Sequence, residues 1–252
     1  MSCLGPARCG DADGNLYRCG AGLSHGHGTL GGVALRVSNR AHLPVLVSAF
    51  VLMLPMQPLA FYAVRLPLLG NVQAALGTGI ATLIVLMLAA PLTEEPAKWI
   101  VLTLRSVRRA IQSGSAIGLA IAAGLGFGVG EIWFLADRIA KVPALQATPF
   151  YEFWGFMLER AEVCFLHGMF LMPLFYALSR GRSVVIGALI GILMHLVVNL
   201  PALAIQMDVF GLGRQFWALA STVWLLVLVA GGLYMVNRLT DGRLVYPRAA
   251  VE

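Results

Sequence analysis

Four short stretches of this chain set acidic, basic and imidazole groups among residues that are otherwise apolar. The densest reads Leu92-Thr93-Glu94-Glu95-Pro96-Ala97-Lys98. A charge at the centre of a membrane helix costs about 2.5–3.5 kcal/mol on insertion scales, so this cluster needs partners or a task. Glu94 and Lys98 are four apart with the acid first, the favourable order for a helical ion pair. Glu95 then points about 100° away and is expected to face a cavity. Thr93 suits an N-cap and Pro96 a first turn, so a helix is predicted to begin here, its positive end beside the carboxylates.

The second stretch, Gly124-Leu125-Gly126-Phe127-Gly128-Val129-Gly130-Glu131, has alternating glycines. It lacks the G-x-G-x-x-G spacing and the preceding strand of a nucleotide site. In a membrane helix such glycines admit a neighbouring backbone, which would bring Glu131, one turn past Phe127, against a partner helix. In the third stretch, His195 and Asn199 share an otherwise apolar helix face. Together they could donate to a developing oxyanion, or His195 could ligate a metal. In the fourth, Arg160 and His167 are seven apart on one face, and Arg160 is the natural counter-charge for a membrane acid. Glu159 and Glu162 lie nearer the outer end, where solvation is cheap. Cys164 reads as a buried, inert thiol.

The elements that must position these groups are membrane helices. Of 252 residues 59% are hydrophobic and only 12% charged, against roughly 25% charged in soluble domains; mean hydropathy is +0.81. The predicted fold is all-α, a polytopic transmembrane bundle of about six to eight helices. Spans are expected near 43–64, 72–92, 114–136, 153–178, 183–206 and 216–237. The segment 91–104, which contains Pro91 and Pro96, is too short to cross alone. It is predicted to be an extra short helix or the break in a single crossing over 72–104.

The net charge of +6 does not point to nucleic acid, because the arginines cluster between apolar runs, as in cytoplasmic loops. With a cytoplasmic N-terminus, Arg36, Arg40, Arg105, Arg108, Arg109, Arg180, Arg182, Arg238, Arg243 and Arg248 all fall inside. Only Arg65, Arg138, Lys141 and Arg214 then fall outside. Residues 1–40 are expected to be a disordered or weakly ordered cytoplasmic leader, 41–240 the transmembrane domain and 241–252 a cytoplasmic tail. The leader has no apolar signal-peptide core, and its Cys3, Cys9 and Cys19, with His25 and His27, lack the C-x2-C spacing of a zinc knuckle. Counting about 1.5 Å per residue from the basic clusters puts Glu94, Glu95, Glu131, His167 and His195 in one slab, roughly 15–25 Å deep.

Glu94-Glu95-x-x-Lys98, Phe127-x-x-x-Glu131, His167 and His195-x-x-x-Asn199, in this order, resemble the PrsW family of intramembrane proteases. That family is related to the CAAX-prenyl-protease and bacteriocin-processing membrane proteins. The larger group carries E-E-x-x-x-R, F-x-x-x-H and H-x-x-x-N; here the cation comes one residue sooner and Glu131 stands where the group has His, and both departures fit the PrsW branch. The resemblance covers about residues 90–200. It implies an integral protein of a bacterial plasma membrane that hydrolyses a peptide bond of a membrane-anchored protein or peptide, anti-sigma factors and exported peptides among them. Glu94 or Glu95 would deprotonate a water held by Glu131, one carboxyl staying protonated as the acid. His195 and Asn199 would hold the tetrahedral intermediate, while Lys98 orients the acid pair, supported by His167, Phe127 and Arg160. No cofactor is favoured; if a metal such as zinc took part, Glu95, Glu131, His167 and His195 would be its ligands.

Two other readings stand beside this one. Mid-membrane acids and histidines also build proton relays, which would make the chain a proton-coupled transporter, although no inverted repeat is evident. A non-catalytic scaffold could hold a membrane partner in the same cavity.

Overall fold

The computed structural model describes residues 42–77, 79–146, 148–149 and 153–240. The leader and the tail, with the cysteines, histidines and arginines noted in them, lie outside the described residues. The described residues form an all-α helical bundle. Six runs are long and apolar enough to cross a bilayer: Leu43–Leu76, Ile80–Thr103, Arg105–Ala140, Trp154–Ser179, Val184–Met207 and Gln215–Leu239. Large apolar side chains such as Val185, Ile186, Leu189, Leu193, Leu219 and Val227 are exposed on their outer faces, as lipid contact requires. The chain is an integral membrane protein.

The helices are α1 Leu43–Met53, α2 Met56–Ala60, α3 Leu66–Leu76, α4 Ile80–Lys98, α5 Arg105–Ala110, α6 Ala116–Ala140, α7 Pro143–Gln146, α8 Trp154–Ser179, α9 Val184–Met207 and α10 Arg214–Leu239. The first run differs from expectation. It continues past residue 64 through a wide π-turn at Phe61–Arg65 and does not reverse until Gly77, whose φ of +69° suits glycine alone. Residues 72–76 therefore close the first run rather than open the second.

The second run also revises the reading of 91–104. No helix starts at Thr93; α4 passes through both Pro91 and Pro96 and gives way to a 3-10 turn only at Trp99–Thr103. Thr93 is not an N-cap, for its hydroxyl donates back to the carbonyls of Ala89 (2.7 Å) and Ala90 (3.2 Å). A hydroxyl bonding back in this way accommodates a helix whose ladder proline interrupts.

The centre of the bundle is the pair α6 and α8, which pack along their length, with α1 on the other side of α6 and α9 against α8. The alternating glycines explain how. Gly124 and Gly128 face α8, where an added Cβ would meet the backbone of Gly168 and the Cα of Cys164. Gly126 and Gly130 face α1, against the carbonyl oxygens of Phe50 and Leu54. Two interleaved four-residue spacings thus let α6 touch two neighbours backbone to backbone, the small-residue mode of membrane packing. Cys164 is a buried free thiol at the first of these contacts.

Candidate functional site

Four of the six runs deliver the predicted residues to one place, and a fifth adds one that was not predicted. Alpha-helical counting from the ends marked by Thr103, Ala116, Ser179 and Val184 sets Glu94, Glu131, His167 and His195 roughly 13–23 Å deep at about 1.5 Å per residue. Contacts between the segments bring these groups together at one level of the bundle.

Within it the side chains form one continuous polar chain. Arg65 pairs with Glu94. Glu94 Oε2 lies 3.8 Å from His195 Nε2, whose Nδ1 is 2.6 Å from Glu95 Oε1. Lys98 Nζ donates to the same Glu95 oxygen at 2.5 Å and to His167 Nδ1 at 2.8 Å. His167 Nε2 reaches Glu131 Oε2 at 2.9 Å, and Arg160 bridges Glu131 Oε1 (3.1 Å) to Glu159 (2.6 Å).

These partners fix the protons. Lys98 has only hydrogens to offer, so His167 Nδ1 accepts and its Nε2 carries the hydrogen given to Glu131. Glu95 can only accept while ionised, so His195 Nδ1 carries the hydrogen of that bond, and in the neutral ring Nε2 is the nitrogen left as acceptor. The buried or half-buried carboxylates Glu94, Glu95 and Glu131 each meet a cation, Arg65, Lys98 and Arg160, the last of which is shared with Glu159. Burial of charge is tolerated here because each ion has a partner.

The pairing inside the first motif is the reverse of expectation. Lys98 takes Glu95, three residues back, and not Glu94. Glu95 is 1% exposed and turns into the protein, while Glu94 faces the cavity. The cause is Lys98 itself, which is fully enclosed. Its ammonium sits 4.6 Å from the centre of the Phe127 ring and 5.1 Å from that of Phe170, an aromatic seat suited to a cation, and from there it draws Glu95 inward. Phe127 thus supports the cation, and its ring also meets His167 edge-on at 5.0 Å.

A cavity of about 160 Å³ opens beside this chain, lined among others by Glu94, Glu131, His167, His195, Asn199 and Arg160. Its remaining walls, including Arg65, Ala90, Ala202 and Ser221, lie toward the bundle end opposite Arg105 and Arg180. An apolar cavity of about 490 Å³ between α8, α9 and α10 adjoins it, sharing Phe170 and Val198.

Of the four donors considered for a metal, Glu95 pairs with His195 and Glu131 with His167. Lys98 lies between Glu95 and His167, and no group of three His, Cys, Asp or Glu side chains gathers as a metal site among the described residues. Glu162 also departs from expectation, being 8% exposed, with neither carboxylate oxygen hydrogen-bonded among the described residues.

Two participants escaped the sequence reading. Phe170 stacks on His195 at 4.7 Å and 12° and fixes the ring plane; it lies one turn below His167, a spacing that marked it only as apolar. Arg65 was assigned to an outer loop, yet it lies inside the first run and meets Glu94. No protein-family model matches the chain, and comparison with curated proteins and with solved structures finds no match.

Proposed function

We propose that the chain is an intramembrane endopeptidase that hydrolyses a membrane-anchored protein or peptide, as its motifs suggest. The observation that carries the reading is the Glu94–His195 pair. Glu95 and Phe170 hold His195 so that Nε2 faces Glu94 Oε2 across 3.8 Å, a gap that a single water, bonding at about 2.7–2.8 Å to each, can bridge.

In this reading the water oxygen attacks the peptide carbonyl while its proton passes to His195 Nε2. Ionised Glu95 and Glu94 stabilise the imidazolium. The carbonyl oxygen becomes an oxyanion, and Asn199, one turn beyond His195 on the cavity wall, donates its amide hydrogen to it. The C–N bond then breaks, and His195 returns the proton to the leaving amine. The Glu95 bond favours this base role for His195 over a purely oxyanion-binding one. Glu131, locked between His167 and Arg160, braces the far wall.

The adjoining apolar cavity suits the hydrophobic segment of a substrate that lies in the bilayer. With the basic ends cytoplasmic, the N-terminus is inside, water reaches the cavity from the outer face, and a bacterial plasma membrane is the setting. Detergent-solubilised protein should cleave members of a dye-quenched peptide library in which each peptide carries an apolar segment of about 20 residues, and Glu94→Gln or His195→Ala should lower kcat at least about 10³-fold while the protein stays folded. A chelator should leave cleavage intact, since Lys98 stands among the would-be metal ligands. Undiminished turnover in both variants would remove the assignment.

A further inference from the structure

We infer that Arg65, from the first run, is a positioning residue of the site: its guanidinium holds Glu94 so that the second carboxylate oxygen is presented to His195. This rests on the hydrolase reading given above.

The local structure delivers Arg65 to that point. The stretch around it faces lipid, with Tyr62, Ala63, Val64, Leu66, Pro67 and Leu68 exposed, whereas Phe61, Arg65 and Leu69 turn inward at four-residue spacing. The segment Phe61–Arg65 is a π-turn. Such a turn adds a residue and shifts side-chain direction by about 100°, and π-turns of this kind recur at functional sites. Arg65 also lies 5.7 Å from the centre of the Phe61 ring, and its Nε is 3.4 Å from the Thr93 hydroxyl. The guanidinium is thus held from three directions, with 15% of its side chain exposed, and it lines the cavity.

What it grips matters. Arg65 binds Glu94 through Oε1, and Oε2 is the oxygen 3.8 Å from His195 Nε2. A carboxylate held at one oxygen cannot rotate the other away without breaking that pair. Thr93, which precedes Glu94, is tied to the same guanidinium and to the α4 backbone, so the hold extends to the motif's main chain. Arg160 does the equivalent for Glu131, but on the wall away from the Glu94–His195 gap.

Kinetics on the dye-quenched membrane-segment peptides with the whole chain in detergent separate a positioning role from a merely structural one. Arg65→Ala should lower kcat on the order of 10²-fold, the cost of a misplaced reacting group, with KM changed less than about threefold because no substrate contact is lost. Added guanidinium should restore part of the rate, since truncation leaves space on an open cavity wall. Arg65→Lys should fall between Ala and wild type, a point charge lacking the planar fork. The inference fails if Arg65→Ala keeps kcat within threefold while Glu94→Gln is inactive, an outcome that leaves the hydrolase reading standing. It fails equally if Arg65→Ala loses activity together with its thermal midpoint and neither guanidinium nor lysine restores turnover. Wild-type activity in Glu94→Gln, or no cleavage by the wild-type chain, would overturn the hydrolase reading and the inference with it.

Discussion

Lys98→Met is expected to destabilise the protein by about 3–5 kcal/mol, the usual cost of removing one partner of a buried ion pair. Lys98 is 0% exposed and Glu95 1%. Without the ammonium, Glu95 keeps only His195, His167 Nδ1 loses its donor, and two aromatic rings lose the cation they faced. Methionine fills most of the volume, so the loss reports charge and not a cavity. Glu95→Gln added to Lys98→Met should recover a large part of it, because the orphaned charge is then gone as well. Denaturant unfolding in detergent of wild type, both single variants and the double variant gives the coupling directly. Additive losses would mean that Lys98 and Glu95 do not act as a pair.

Gly124→Leu should be more damaging still. A Cβ at this position coincides with the backbone of Gly168 and His167, which no rotamer change can clear. The α6–α8 contact must open, and opening it parts Glu131 from His167 and Arg160. Overpacking ordinarily costs about 1–3 kcal/mol where side chains can yield; here the obstacle is main chain, so little folded protein should survive extraction. Gly70→Ala provides the contrast, since nothing lies within 4 Å of its added Cβ and alanine favours the helix by about 0.5–1 kcal/mol. Size-exclusion profiles and thermal midpoints compare the two. A well-folded Gly124→Leu would show that α6 and α8 do not need their backbone contact.

The fold was legible because composition and hydropathy act over long windows. The last three runs fell within a residue or two of expectation. The third, expected over 114–136, runs from Arg105 to Ala140; the first two also differ, and the reason there is local. A π-turn and a glycine reversal at Gly77 leave no trace in hydropathy, so Arg65 read as the polar end of a span. The candidate site was legible as a set of residues at one depth, because a buried charge on an apolar helix advertises itself. Its wiring was not. Helical spacing offered Lys98 to Glu94, but Phe127 and Phe170, on two other helices, decide where the ammonium sits. Tertiary contacts of that sort choose between i+3 and i+4 partners. The same holds for His195, whose free nitrogen is known only once Glu95 is seen on the other one. The glycines are the reverse case: their alternation already contained two four-residue contact faces, and α1 and α8 occupy them.

Under the proposed mechanism the Glu94–His195 pair activates a water against a peptide bond. Mass spectrometry of fragments formed from the membrane-segment peptides in heavy-oxygen water reads that step. Wild-type protein should yield new fragments whose carboxyl ends carry the label, and His195→Ala, equally well folded, should yield none above background. Intact peptides throughout the library with the wild-type chain, or labelled fragments at the same rate from His195→Ala, would overturn the proposed mechanism.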